Sequence, residues 1–235
     1  LVNTGEAPIN VATFSPDSRW FALGGGDYST WVWDLENLPA EPVVLKRYTY
    51  GIVDLSGDRT EGITALLFTN DSQKLIIGES QYTGDIGQNL ISIYDLAHLS
   101  DDPFTLRGPE NSILSMSLSS DGKRLVAGGM SQGNNNSKVY MWDTGNLQAP
   151  PVILANHFYR VNKVLFSDDN QWLITGDISV HLWSLNPQVL IDTACRFAAR
   201  NLSSYEWEQY FQQTPIRETC PGLPVPSWES MHTPQ

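Results

Sequence analysis

The sequence predicts an all-β protein built from four similar four-stranded units and followed by a short helical tail. Three observations carry that reading. A Trp-Asp dipeptide or a variant of it ends a short β-rich run four times, as Trp33-Asp34, Tyr94-Asp95, Trp142-Asp143 and Trp183-Ser184. Each run opens with an apolar stretch and a turn: Phe14-Ser15-Pro16-Asp17, Phe68-Thr69-Asn70-Asp71, Leu118-Ser119-Ser120-Asp121 and Phe166-Ser167-Asp168-Asp169. Eight Trp, nine Tyr and eight Phe supply the large buried area that short strands packed sheet on sheet require.

The fourth unit shows the logic strand by strand. Val161 to Ser167 alternates apolar and polar residues, as a half-buried strand does. Asp168-Asp169-Asn170 is a turn cluster, Trp172 to Thr175 a second strand, and Val180 to Trp183 a third after the Gly176-Asp177 turn. The first three units add an outer strand: Val43-Val44-Leu45, Phe104-Thr105-Leu106 and Val152-Ile153-Leu154. The fourth lacks one, because Asn186-Pro187 leads elsewhere. Inner strands are expected near 9–14, 63–68, 113–118 and 161–166. A four-stranded unit cannot bury both faces alone and must stack on its neighbours.

These residues resemble the WD-repeat β-propeller family. The resemblance runs from Leu1 to about Leu185, with blades at about 1–45, 46–106, 107–154 and 155–185 and a helical, Pro-rich tail at 186–235. Rings of this family generally have more blades than four, so these are expected to be part of a larger ring. Leu1-Val2 aligns with the ends of the outer strands, as if closing a preceding blade. The remaining blades would come from the same or another chain. The family's Gly-His pair is degenerate here, as Thr4-Gly5, Asp58-Arg59, Gly108-Pro109 and Asn156-His157. Its turn aspartate is present as Asp27 and Asp177 and replaced by Gln88 and Asn136. The resemblance implies that His157, Thr175, Asp177 and Trp183 form the family's buried hydrogen-bond tetrad. A catalytic relay through His157 and Asp177 is the weaker reading, because no nucleophile with its own base or oxyanion donors lies nearby.

Composition narrows the functions. The net charge is −12, so a phosphate backbone or an anionic membrane is a poor partner. No apolar run approaches the roughly 20 residues of a membrane span. Two cysteines are too few for a secreted disulfide scaffold, so a cytoplasmic protein is expected. Enzymes built on propellers converge acids, histidines or metal ligands on the innermost strands. Here those strands carry Asn10, Thr13, Thr64, Ser115, Ser117, Asn162 and Lys163. No catalytic residue, cofactor or metal site is expected.

Three insertions stand out, at residues 46–61, 79–89 and 130–137. In an antiparallel meander, blade-to-blade links and links from second to third strand share one rim. Tyr48, Tyr50, Asp54, Asp58, Arg59, Tyr82, Asp85 and Asn135 there suit adaptable recognition of a protein or other macromolecule. Long turns also drift in length without function.

After Leu185 the pattern becomes helical. Pro187 suits a first turn, and Val189, Leu190, Ala194, Phe197 and Ala198 recur at helical spacing. Ser203 with Glu206 is a capping-box pattern for a second helix near 204–212 with Trp207, Tyr210 and Phe211 as an aromatic face, and the two helices are expected to pack on the blades through these three and Phe197. Cys195 and Cys220 are expected to meet, as two buried thiols or a disulfide. They do not make a zinc set with stray histidines. The stretch from Ala194 to Ser203, with Glu206-Trp207, Tyr210 and Thr219-Cys220-Pro221, resembles the tail after the last WD repeat in many bacterial multidomain proteins. In those proteins the repeats follow a NACHT- or AAA-type NTPase, a TIR domain or a caspase-like domain. The resemblance implies a non-catalytic sensor or scaffold module of a larger signalling or defence protein. The alternatives are a spacer or oligomerisation element and, less favoured, an enzyme with its site at the central channel.

Overall fold

The computed structural model describes residues 8–46, 62–80, 91–106, 112–130, 137–210 and 215–225. The chain divides into two compact units, Leu1–Trp183 and Ser184–Gln235. The first is all-β. Blade 1 comprises β1 (Ile9–Phe14), β2 (Trp20–Gly25), β3 (Ser29–Asp34) and β4 (Val43–Lys46). Blade 2 comprises β5 (Gly62–Phe68), β6 (Lys74–Ser80), β7 (Ile91–Asp95) and β8 (Phe104–Thr105). Blade 3 comprises β9 (Ser112–Leu118), β10 (Arg124–Met130), β11 (Ser137–Asp143) and β12 (Val152–His157). Among the described residues blade 4 has three strands, β13 (Lys163–Phe166), β14 (Trp172–Gly176) and β15 (Val180–Ser184). Each sheet is an antiparallel meander in sequence order. Glu79, Ser80, Met130 and Ser137 lie inside strands, so the insertion within blade 2 begins later, and that within blade 3 is shorter at both ends, than the sequence pattern suggests. Paired backbone groups extend β6, β10 and β11 past the apolar residues that mark them in sequence.

The turn between the first two strands is built the same way in every blade. The hydroxyl of Ser15, Thr69, Ser119 or Ser167 donates to the aspartate two residues on, and accepts from a backbone N–H five residues on. The fourth turn residue is left-handed: Ser18 at φ 63°, Ser72 at 56°, Gly122 at 70° and Asn170 at 57°. Those four aspartates, Asp17, Asp71, Asp121 and Asp169, are held below the usual carboxylate range first by that hydroxyl and then by a backbone N–H. The turns also join one another. Asp17 N donates to Ser72 Oγ (3.2 Å), Asn70 Nδ2 to Ser120 O (2.8 Å), and Ser120 N to Asn170 Oδ1 (2.9 Å).

The core lies between blades. One cluster joins Ala22, Val32 and Leu45 of blade 1 to Ile63, Leu75 and Ile77 of blade 2. The other joins Ile76, Ile91 and Ile93 of blade 2 to Ile113, Leu125, Ala127 and Trp142 of blade 3. Ile76 and Ile77 therefore face opposite neighbours, the two-residue period of a strand buried on both sides. A glycine takes the same place in each second strand: Gly24, Gly78, Gly128 and Gly176. At the first three, the first apolar residue of the next blade fills the space a side chain would need. A Cβ on Gly24 would collide with Ile63, on Gly78 would lie 2.9 Å from Ile113, and on Gly128 would lie 2.7 Å from Val161.

In the second unit, α1 (Pro187–Phe197) starts at Asn186, whose side chain accepts from the N–H groups of Gln188 and Val189. Ser203 and Glu206 form both halves of a capping box at the start of α2 (Ser204–Tyr210). Glu206 is lowered to about 2, first by Arg200, whose guanidinium binds it through two nitrogens. Cys195 and Cys220 form a disulfide. Asn201, buried beside it, bonds Cys220 O, Leu223 O, Cys220 N and Thr219 N, which fixes the 219–223 turn. Of the expected aromatic face, Trp207 is buried, whereas Phe197 and Tyr210 are exposed. Phe197 is the last residue of α1, and Tyr210 is the last described residue of α2. Phe211 lies outside the described residues. Among the described residues, no helix is long and apolar enough to cross a membrane.

Candidate functional site

Blade 4 carries a buried polar network. His157 ends β12, the outer strand of blade 3. From there its Nε2 lies 3.0 Å from Thr175 Oγ1 on β14. Trp183 Nε1 on β15 donates to the same oxygen at 2.9 Å. His157 Nδ1 lies 3.3 Å from Asp177 Oδ2, without the alignment of a hydrogen bond. The side chains of His157 and Asp177 are almost wholly out of solvent. The turn after β14 secures Asp177, which accepts from Ser179 N and Ser179 Oγ, both at 2.7 Å. The sequence thus brings together the four residues it singled out, two of them by way of a strand end and a tight turn.

The protonation states follow from the donors. Trp183 can only donate, so Thr175 accepts from it and turns its own hydrogen to His157 Nε2. His157 then carries its proton on Nδ1, facing Asp177. Burial is the largest effect on His157 and holds its pKa below the ordinary value; Asp177 opposes that shift without overcoming it. Asp177 is lowered to about 2, first by the Ser179 hydroxyl and backbone and then by His157. The pair is a neutral imidazole beside a carboxylate, and a buried charge kept this way needs the bonds that Ser179 supplies.

The other blades carry incomplete versions. In blade 1, Asp27 accepts from Ser29 N and Ser29 Oγ, as Asp177 does from Ser179. Leu23 stands there in the place of Thr175. In blade 3, Ala127 takes that place, and the buried Trp142 Nε1 has no acceptor among the described residues. Three or four repeats of one turn, one glycine and one terminal aromatic leave little room for another assignment. The family profile described as WD domain, G-beta repeat matches residues 2–34, 92–143 and 149–184, half of the chain. The chain belongs to the WD40 family. It is also similar to Protein lethal(2)denticleless of Drosophila melanogaster, 26% identical over 197 residues, which are 79% of this chain and 23% of that protein. The chain therefore spans about a quarter of the length of that relative. WD40 repeats make a protein-interaction module, and the family points away from catalysis.

The innermost strands of the WD40 blades use their hydroxyls on one another. Thr64 Oγ1 donates to Ile113 O, Ser115 Oγ accepts from Val164 N (3.1 Å), and Ser117 Oγ accepts from Phe166 N (3.3 Å). Each bond crosses to the next blade. Composition could not distinguish this role from channel lining, since a serine looks the same in both. Tyr48, Tyr50, Asp54, Asp58, Arg59, Tyr82, Asp85 and Asn135, offered for partner binding, lie outside the described residues, as do Leu1 and Val2. Sequence reading also passed over His181. Its ring centroid is 4.6 Å from that of His157 at right angles, and its Nε2 is 2.9 Å from Ser179 Oγ. The available signal was the two-residue alternation of β15, which puts His181 on the same face as Trp183.

Proposed function

We propose that this chain is a non-catalytic sensor or scaffold module that binds a macromolecular partner, most simply a protein, on the rim carrying its long connections. The observation that carries the reading is topological. β4 to β5 (47–61) and β6 to β7 (81–90), the two longest connections between strands, turn with β10 to β11 at the same end of adjacent meanders. The opposite rim carries the turns after each first strand, which are bonded to one another, and the links 35–42, 96–103 and 144–151. Tyr48, Tyr50 and Tyr82 supply aromatic anchors, which tend to dominate interface energy. Asp54, Asp58 and Asp85 favour a basic or donor-rich partner, with Arg59 and Asn135 as adaptable polar contacts. The net charge of −12 supports leaving out nucleic acid. The tail's resemblance supports a cytoplasmic bacterial signalling or defence protein as the setting.

The test places a photocrosslinking residue at Tyr82 on this rim and at Ser120 on the opposite one, in the complete protein. Capture from position 82 and not from 120 is expected, and shortening residues 47–61, 81–90 or 131–136 should weaken binding of the captured partner. Full affinity in all three folded loop variants overturns the proposal. A second reading, assembly with further blades of the same or another chain, is favoured by the apolar face of blade 4, where Leu165, Ile178, Val180 and Leu182 are exposed. Light scattering across a concentration series separates self-assembly from a monomer.

A further inference from the structure

We propose that His157, Asp177 and His181 form a binding site for a divalent transition-metal ion, with Zn²⁺ as the best-suited ion. One ligand atom from each lies within 4.8 Å of the others. His157 Nδ1 and Asp177 Oδ2 are 3.3 Å apart, and His181 Nε2 and Asp177 Oδ1 are 3.9 Å apart. A tetrahedral ion with bonds of about 2.0–2.1 Å holds its ligands roughly 3.3–3.4 Å from one another. The first pair already has that spacing. The second closes by a small movement of His181, whose side chain is half exposed on the edge strand β15. Two imidazoles and one carboxylate are a ligand set that zinc takes in open sites, with water in the fourth position.

A second observation is independent of the cluster. His157 Nδ1 is buried, lies 3.3 Å from Asp177 Oδ2, and lacks an aligned hydrogen bond among the described residues. The tetrad gives it a carboxylate to face, yet leaves that bond poorly made. An ion between them uses the same lone-pair direction better. The outer contacts that orient metal ligands are also present. Thr175 holds the far nitrogen of His157, and Ser179 holds the carboxylate. His181 is the residue the tetrad does not need, and it completes the set.

The proton balance is simple. Asp177 can only accept, so Ser179 donates to it and accepts from His181 Nε2–H. On binding, each imidazole moves its proton to its other nitrogen. His157 then donates Nε2–H to Thr175 Oγ1, which has two lone pairs for His157 and Trp183. His181 turns its N–H to water. Binding requires both rings neutral and Asp177 ionised, so acidification competes with the ion.

The experiment titrates the intact chain with Zn²⁺ by calorimetry at pH 7.5 and follows Co²⁺ by its visible absorption. One ion per chain is expected, with a Co²⁺ spectrum of nitrogen and oxygen ligation. His181→Gln should lower affinity by roughly tenfold or more, since loss of outer partners alone costs about 10–100-fold. That variant keeps the tetrad, so its metal-free melting temperature should match the parent, and added Zn²⁺ should raise only the parent's. His98→Gln and His232→Gln should leave the titration unchanged. Unaltered affinity in His181→Gln, abolished binding in either control, or no stoichiometric uptake overturns the proposal. Should His181→Gln misfold, His181→Asn reads the same loss, and full uptake there is equally fatal.

Discussion

Blades 3 and 4 are two versions of one repeat held together differently. In blade 3, Leu125, Val126 and Ala127 are fully buried, and Trp142 is nearly so. In blade 4, Val180 is 77% and Leu182 59% exposed, and the conserved architecture rests on His157, Thr175, Asp177 and Trp183 instead. A blade packed on both sides can leave an indole N–H without an acceptor, because burial of the ring outweighs it. A blade with one open face has less apolar burial and closes through polar bonds. The same contrast appears in the glycines: Gly24, Gly78 and Gly128 receive a side chain from the next blade, while Gly176 has only Lys163 O at 3.9 Å beside it.

The sharpest test of this contrast is the terminal tryptophan. Trp142→Ala should cost about 3–5 kcal/mol by urea unfolding, as expected for a buried large aromatic. Trp183→Ala should cost clearly less, because that ring is only partly buried. Equal losses would mean that blade 4 relies on packing as blade 3 does.

The glycines come next. Gly78→Ala and Gly128→Ala should each lose about 1–3 kcal/mol, because the stiff β-branched Ile113 and Val161 must move. Gly176→Ala should change stability by less than about 0.5 kcal/mol. A large loss at Gly176 would show that something else covers that face in solution.

The blades and their order were legible in the sequence because turn residues and a terminal aromatic recur at similar spacing. The tetrad was legible too, but only through resemblance, since no periodicity links His157 to Thr175 across two blades. The glycine sockets were not read, because a lone glycine in a strand does not reveal the neighbour that fills it. Nor were the hydroxyl bridges of Thr64, Ser115 and Ser117, whose partners lie 49 residues away. The exposure of Phe197 and Tyr210 was not read, because spacing marks a helix face without showing what covers it.

At the centre of the network, Thr175→Val keeps the shape and removes the hydroxyl. Trp183 Nε1 and His157 Nε2 then lose their partner, at a cost of about 1–3 kcal/mol. Loss of stability together with unchanged secondary structure by circular dichroism is expected. A variant as stable as the parent would make the network dispensable.

Acid should find blade 4 before blade 3. His157 has a folded pKa below its unfolded 6.5, so the unfolded chain binds the proton more readily. Its contribution is fully present above that value and is lost as pH falls through the folded pKa. Asp177 acts in the same direction lower down, between 3.8 and about 2. Without added metal, the urea midpoint should fall from pH 7 to 5, and His157→Gln should flatten that fall. A midpoint that rises on acidification in the parent would reverse the assigned protonation state.

The smallest expected effect tests the contrast from the other side. Ala127 occupies in blade 3 the place that Thr175 occupies in blade 4, and Trp142 Nε1 lies buried without an acceptor among the described residues. Ala127→Ser adds one oxygen where the repeat geometry of blade 4 puts Thr175 Oγ1, 2.9 Å from its indole nitrogen. A new hydrogen bond contributes about 0.5–1.5 kcal/mol net, and crowding at this fully buried position offsets part of it. The expected outcome is a slight gain in melting temperature, with a red shift and narrowing of the indole fluorescence on comparison with Ala127→Gly, which adds no acceptor. A loss exceeding about 1 kcal/mol would mean that the serine oxygen is itself buried without a partner. Blade 3 would then have diverged in geometry as well as in chemistry, and the equivalence of the two tryptophans would fail at the atom that matters.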